Sequence, residues 1–154
     1  MKGMLVACTL ALLCQLTAAG IGEICCPSGW ERYEDSCYYF NTVKKNWVDA
    51  QKACKDMYPE ANLVEIGDSG ENSFLKGKLQ ALNFDQTWTG ANDAFEEGTF
   101  RWIGSFDPLT FTSWKSGEPN DSHNDEDCGT IWKAAGYKWN DGICATLMTS
   151  ICEM

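Results

Sequence analysis

Hydrophobic residues change their spacing several times along this chain, and each change points to a different kind of element. Behind Lys2, Met4 to Leu16 is apolar except for Cys8, Thr9, Cys14 and Gln15, and the small residues Thr17 to Gly20 follow. A positive start, a short apolar run and a small-residue end form the pattern of a cleaved secretory signal. The run is too short to span about 30 Å of hydrocarbon. Residues 1–20 are therefore expected to be a signal peptide, and residues 21–154 to form one secreted, extracellular domain without membrane insertion.

Beyond residue 29 the pattern becomes that of a folded domain. Trp30 to Phe40 predicts two short strands around a turn at Glu34, Asp35 and Ser36. Asn46 is placed to cap a helix that runs to Met57 and turns Trp47, Ala50, Ala53, Cys54 and Met57 to one face, with Pro59 ending it. Residues 62–66 alternate as a strand does. Ser69 to Leu82 predicts a second helix with Ser69 as cap and Phe74, Leu75, Leu79 and Leu82 turned inward. Past residue 83, short apolar stretches (86–91, 99–103, 110–114, 130–133, 137–139 and 150–153) alternate with Gly-, Asn- and Asp-rich segments. The fold class read from this is α+β, with two helices, a β-rich second half and long loops.

Composition narrows the function. The 154 residues carry a formal charge of −10, which excludes a nucleic-acid partner, since that needs a basic face. One His makes a Ser–His or Cys–His catalytic apparatus a poor reading, and no enzyme is expected. With Cys8 and Cys14 in the signal, seven cysteines remain: Cys25, Cys26, Cys37, Cys54, Cys128, Cys144 and Cys152. In an oxidising compartment they read as a disulfide framework, although six cysteines allow fifteen pairings. A seventh suggests a bridge to another chain.

The loops hold the acids. From Asp93 to Asp127 there are nine carboxylates against Arg101 and Lys115. An acidic solvated surface is the plain explanation, but these acids lie beside amides and turn residues and flank Cys128 and Cys144. Hard oxygens on a stapled loop suit Ca²⁺, which takes about six to eight of them. Glu118 and Asn120, Glu126, and Asn140 with Asp141 supply five such side chains from two segments.

Several motifs in order carry a family resemblance over residues 26–154: Cys26-Pro27-x-Gly29-Trp30, Trp88-Thr89-Gly90-Ala91, Glu118-Pro119-Asn120, and Trp139-Asn140-Asp141 before Cys144. With them the chain resembles the C-type lectins. The resemblance implies a double-loop fold with two helices, two small antiparallel sheets and a long calcium-binding loop. It implies bridges Cys26–Cys37, Cys54–Cys152 and Cys128–Cys144, with Cys25 left over as the candidate link of a homodimer, or paired with Cys37 in place of Cys26. It implies a principal calcium and sugar site at Glu118, Asn120, Glu126, Asn140 and Asp141, a cis bond before Pro119, and an auxiliary calcium site at Asp93, Glu97, Asp121, Glu126 and Asp127. In that family Glu-Pro-Asn goes with equatorial 3,4-diols, as in mannose, GlcNAc and glucose, and with fucose. The implied role is recognition or agglutination of microbial or cell-surface glycans, of the innate-immune type. A domain of the same fold with a non-sugar partner (venom-type, antifreeze or mineral-binding) is the alternative.

The remaining features have ordinary explanations. The seven tryptophans are expected mostly in the core. His123 reads as a solvated loop residue. The glycosylation sequon at Asn120 reads as unused, because a glycan would occupy a position needed for calcium.

Overall fold

The computed structural model describes residues 25–154, so the expected signal segment lies outside the described residues. A short hairpin of β1 (Glu31–Tyr33) and β2 (Ser36–Lys45) leads into helix α1 (Trp47–Met57). The two-residue strand β3 (Asn62–Leu63) precedes helix α2 (Ser69–Leu82), and β4 (Gln86–Asn92) and β5 (Arg101–Trp102) follow. A long irregular stretch then reaches β6 (Cys128–Trp132), β7 (Lys138–Gly142) and the terminal β8 (Met148–Glu153). Among the described residues no helix is long and apolar enough to cross a membrane.

Each helix starts where a side chain can take up free backbone donors. Asn46 accepts from the Asp49 amide at 2.8 Å and opens α1, which buries Trp47, Ala50 and Cys54. For α2 the cap is Asp68, not Ser69: its Oδ1 accepts from the amides of Gly70 and Glu71 at 2.6 and 3.0 Å. A carboxylate suits this place because it also meets the positive end of the helix dipole. Leu75 and Leu79 are buried as expected, whereas Leu82 is 44% exposed, because Asn83 turns the chain away in a left-handed cap.

The two small sheets expected are continuous. Strand order is β1-β2-β8-β4-β6-β7, with β3 against β8 and β5 against β4. The join is a short parallel pairing of β4 with β8, Thr87 opposite Thr149 and Trp88 opposite Ser150. The remaining pairings between strands are antiparallel. Three predicted stretches shrink: residues 62–66 pair only at Asn62–Leu63, residues 99–103 only at Arg101–Trp102, and residues 110–114 are reduced to one bridge between Trp114 and Trp139. At Gly90 the chain passes so close to Leu63 that a Cβ would lie 2.7 Å from its carbonyl oxygen, so the motif position accepts no side chain without a shift.

Three disulfides staple the sheet: Cys26–Cys37 closes the N-terminal hairpin, Cys54–Cys152 ties α1 to β8, and Cys128–Cys144 ties β6 to the segment after β7. Cys25 is also disulfide-bonded, and not to any of these six. Cys25 is therefore not a free thiol. Trp47, Trp88, Trp102 and Trp139 are buried, while Trp30, Trp114 and Trp132 are half-buried.

Candidate functional site

Trp139 on β7 organises the acidic loops. Its amide donates to the Ser113 carbonyl and its carbonyl accepts from the Lys115 amide, at 2.9 and 2.8 Å. Its ring meets Trp102, Phe111 and Trp114 edge-on, with centroids 6.1, 5.7 and 5.6 Å away. The indole N–H donates to Asn72 of α2 at 2.9 Å. The long loop is thereby pinned to the strand that carries Asn140 and Asp141.

From that pin the chain makes a turn in which the Glu118 amide donates to the Lys115 carbonyl at 3.0 Å, and the Glu118–Pro119 bond is cis. Asp141 is fully buried, and its Oδ2 accepts from the amides of Asn120 and Asp121 at 2.8 and 2.7 Å. Its Oδ1 has no hydrogen-bond partner. The Asn120 amide group donates to Glu118 Oε2, and the Lys115 ammonium lies 3.0 Å from Glu118 Oε1. Glu126 accepts from the Ser122 amide at 3.1 Å. Its pKa is raised, first by burial and then by the charges of Asp141 and Glu118. Glu118, Asn120, Glu126 and Asp141 thus share one small region, and Asn140 adjoins it with its amide turned to the Asp141 carbonyl.

The residues expected in the auxiliary set divide. Asp93, Glu97 and Asp127 bring one carboxylate oxygen each within 4.8 Å of one another, and among the described residues they are the group of three acids that does so. Asp93 is 3% exposed; its Oδ2 accepts from the Gly98 amide at 2.9 Å, and its Oδ1 has no partner. Burial, followed by the charges of Glu97 and Asp127, pushes its pKa to about 6. Asp121 and Glu126 sit instead with the principal residues, Asp121 Oδ1 accepting from the Glu126 amide at 3.3 Å.

A buried carboxylate oxygen without a donor is costly unless a cation takes it up. Asp141 in one group and Asp93 in the other each present such an atom, and both donor sets are hard oxygens of the kind Ca²⁺ takes. The residues fit the metal. Sequence reasoning passed over Lys115, noted only as one of two bases in the loop, and over Trp139 as the loop's anchor.

Comparison with known proteins places these features in context. The family described as Lectin C-type domain matches residues 43–154. A perlucin-like protein from Mytilus galloprovincialis is 39% identical over 123 residues, covering 79% of this chain and 77% of the relative. The low affinity immunoglobulin epsilon Fc receptor of Mus musculus is 34% identical over 129 residues, and there the match covers 83% of this chain but 37% of the relative. Among solved structures, the cow C-type carbohydrate-recognition domain of CD23, in the presence of a GlcNAc2Man3 oligosaccharide, superposes with a TM-score of 0.75 at 33% identity, covering 84% of this chain and 95% of that one.

Proposed function

Since the chain belongs to the C-type lectin family, whose domains bind carbohydrate without turning it over, we propose that it is a secreted, calcium-dependent lectin. Its principal site would be Glu118, Asn120, Glu126, Asn140 and Asp141, and its auxiliary site Asp93, Glu97 and Asp127, with Asp121 and Glu126 held on the side of the principal residues. The observation that carries the reading is Asp141: a fully buried carboxylate with one oxygen held by two amides and the other unpaired, beside the Glu118-Pro119-Asn120 turn. A bound calcium ion would supply open coordination positions to two vicinal sugar hydroxyls. Glu118 accepts a hydrogen bond from such a hydroxyl and the Asn120 amide donates one, so the pair suits a diol better than two acids would. The order acid-then-amide supports equatorial 3,4-diols, as in mannose, GlcNAc and glucose, or fucose; microbial or cell-surface glycans are the targets proposed with it. The disulfide staples fit an oxidising, extracellular setting.

A glycan array run in calcium and again in EDTA tests this. Signal on mannose-type glycans in calcium, lost in EDTA, is the expected result. No signal in either condition overturns the sugar reading and turns attention to a non-sugar partner for the same fold.

A further inference from the structure

Lys115 stands between the two arms of the candidate site. Its backbone amide donates to Trp139, the residue before Asn140 and Asp141, and its carbonyl accepts from the Glu118 amide. Its ammonium lies 3.0 Å from Glu118 Oε1 and 5.5 Å from the centre of the Trp132 ring, so both an ion pair and a cation–π contact hold it. The Glu118 side chain is only 5% exposed, against 41% for that of Lys115. With the Asn120 amide on Oε2, both oxygens of this nearly covered carboxylate are occupied from within the chain.

We infer that Lys115 is the positioning residue of Glu118, a tethered cation that holds the carboxylate in calcium-free protein and sets how much calcium the site needs. The inference rests on the calcium-lectin reading above. A carboxylate this covered cannot stay charged cheaply without a counter-ion. Lys115 provides one from a few residues away in the same turn. The same ammonium repels a divalent cation arriving at Glu118, so the contact that would keep calcium-free protein in order also opposes calcium uptake. The two effects have opposite signs, which separates this role from a merely structural one. A structural lysine, once removed, weakens both the fold and the metal site. A tethered competitor, once removed, weakens the calcium-free fold and strengthens calcium binding.

The test is calorimetric titration with calcium alone, alongside thermal melts in EDTA, on wild type, Lys115→Met, Lys115→Arg, Glu118→Gln and the Lys115→Met/Glu118→Gln double variant. Lys115→Met is expected to lower the calcium half-saturation of the principal site by about two- to five-fold, the scale of one partly exposed charge pair. Its melting temperature in EDTA is expected to fall below that of wild type, while Lys115→Arg keeps the wild-type threshold. In the Glu118→Gln background the added Lys115→Met should cause no further shift. An unchanged or higher calcium requirement in Lys115→Met overturns the inference, as does a shift that persists without Glu118. Wild type that takes up no calcium would instead overturn the lectin reading on which the inference stands.

Discussion

Glu118 and Asn120 sit two positions apart, yet they present opposite hydrogen-bonding characters, and that polarity is what a diol would read. Exchanging them as Glu118→Gln with Asn120→Asp keeps the same count of oxygens while reversing donor and acceptor across the pair. The double variant is expected to lose retention on mannose-agarose, gain it on galactose-agarose, and still bind calcium; retention on mannose equal to wild type would refute the specificity argument. Asp93 makes a different point. Its carboxylate, with a folded pKa of about 6 against 3.8, binds its proton more tightly in the fold than in the unfolded chain. Stability from this group is therefore present at low pH and lost as pH rises from about 4 to 6. Asp93→Asn should melt higher than wild type in EDTA at pH 7.5 and respond less to added calcium, a comparison that thermal melts decide. Side-chain chemistry of this kind was legible in the sequence, because Glu, Asp and Asn announce their oxygens. The partition of Asp121 and Glu126 away from Asp93 was not, because it is set by backbone amides that donate to Asp141 and Asp121.

The two helices illustrate what periodicity can and cannot specify. Apolar spacing predicted both spans, Trp47–Met57 and Ser69–Leu82, because one buried face every turn leaves a clear pattern. The cap of α2 fell one residue away from the expected Ser69, since Asp and Ser are both good caps and only backbone direction separates them. Asp68→Ala is expected to cost about 0.5–2 kcal/mol, and Ser69→Ala to stay within about 0.5 kcal/mol, by denaturant melts. Equal costs would mean that the cap is misassigned. Residues 110–114 read as one of the short apolar stretches of the β-rich half, but their apolar side chains serve a different purpose: Phe111 and Trp114 pack edge-on against Trp139. Ring-on-ring contacts across 25 to 28 residues of sequence leave no local period to detect.

At the scale of the whole molecule, acid groups are buried on a second face as well. The Tyr38 hydroxyl donates to Glu71 at 2.7 Å and lies 3.5 Å from Glu153, whose other oxygen accepts from the Glu65 amide at 3.0 Å. Burial, reinforced by the charge of Glu71, lifts the pKa of Glu153 to about 7, and burial raises that of Glu71 too. Both carboxyls hold protons more tightly in the fold than in the unfolded chain; for Glu153 that contribution to stability is present at low pH and declines as pH rises from about 4.5 to 7, and Glu71 acts in the same direction. Calcium-free protein should melt higher at pH 5 than at pH 8, and Glu153→Gln should flatten that slope; a slope left intact would exclude Glu153 as a source. The sheet order has a practical consequence for presentation. Met154 and Cys37 exchange backbone hydrogen bonds of 2.9 and 3.1 Å, so the C-terminus is anchored beside the N-terminal hairpin, whereas β7 forms the opposite edge, three strand spacings or roughly 14 Å from β8. A linker, tag or biosensor chip attached after Met154 would therefore leave from the end of an interior strand beside the N-terminal hairpin, three strands away from the edge that carries Asn140 and Asp141.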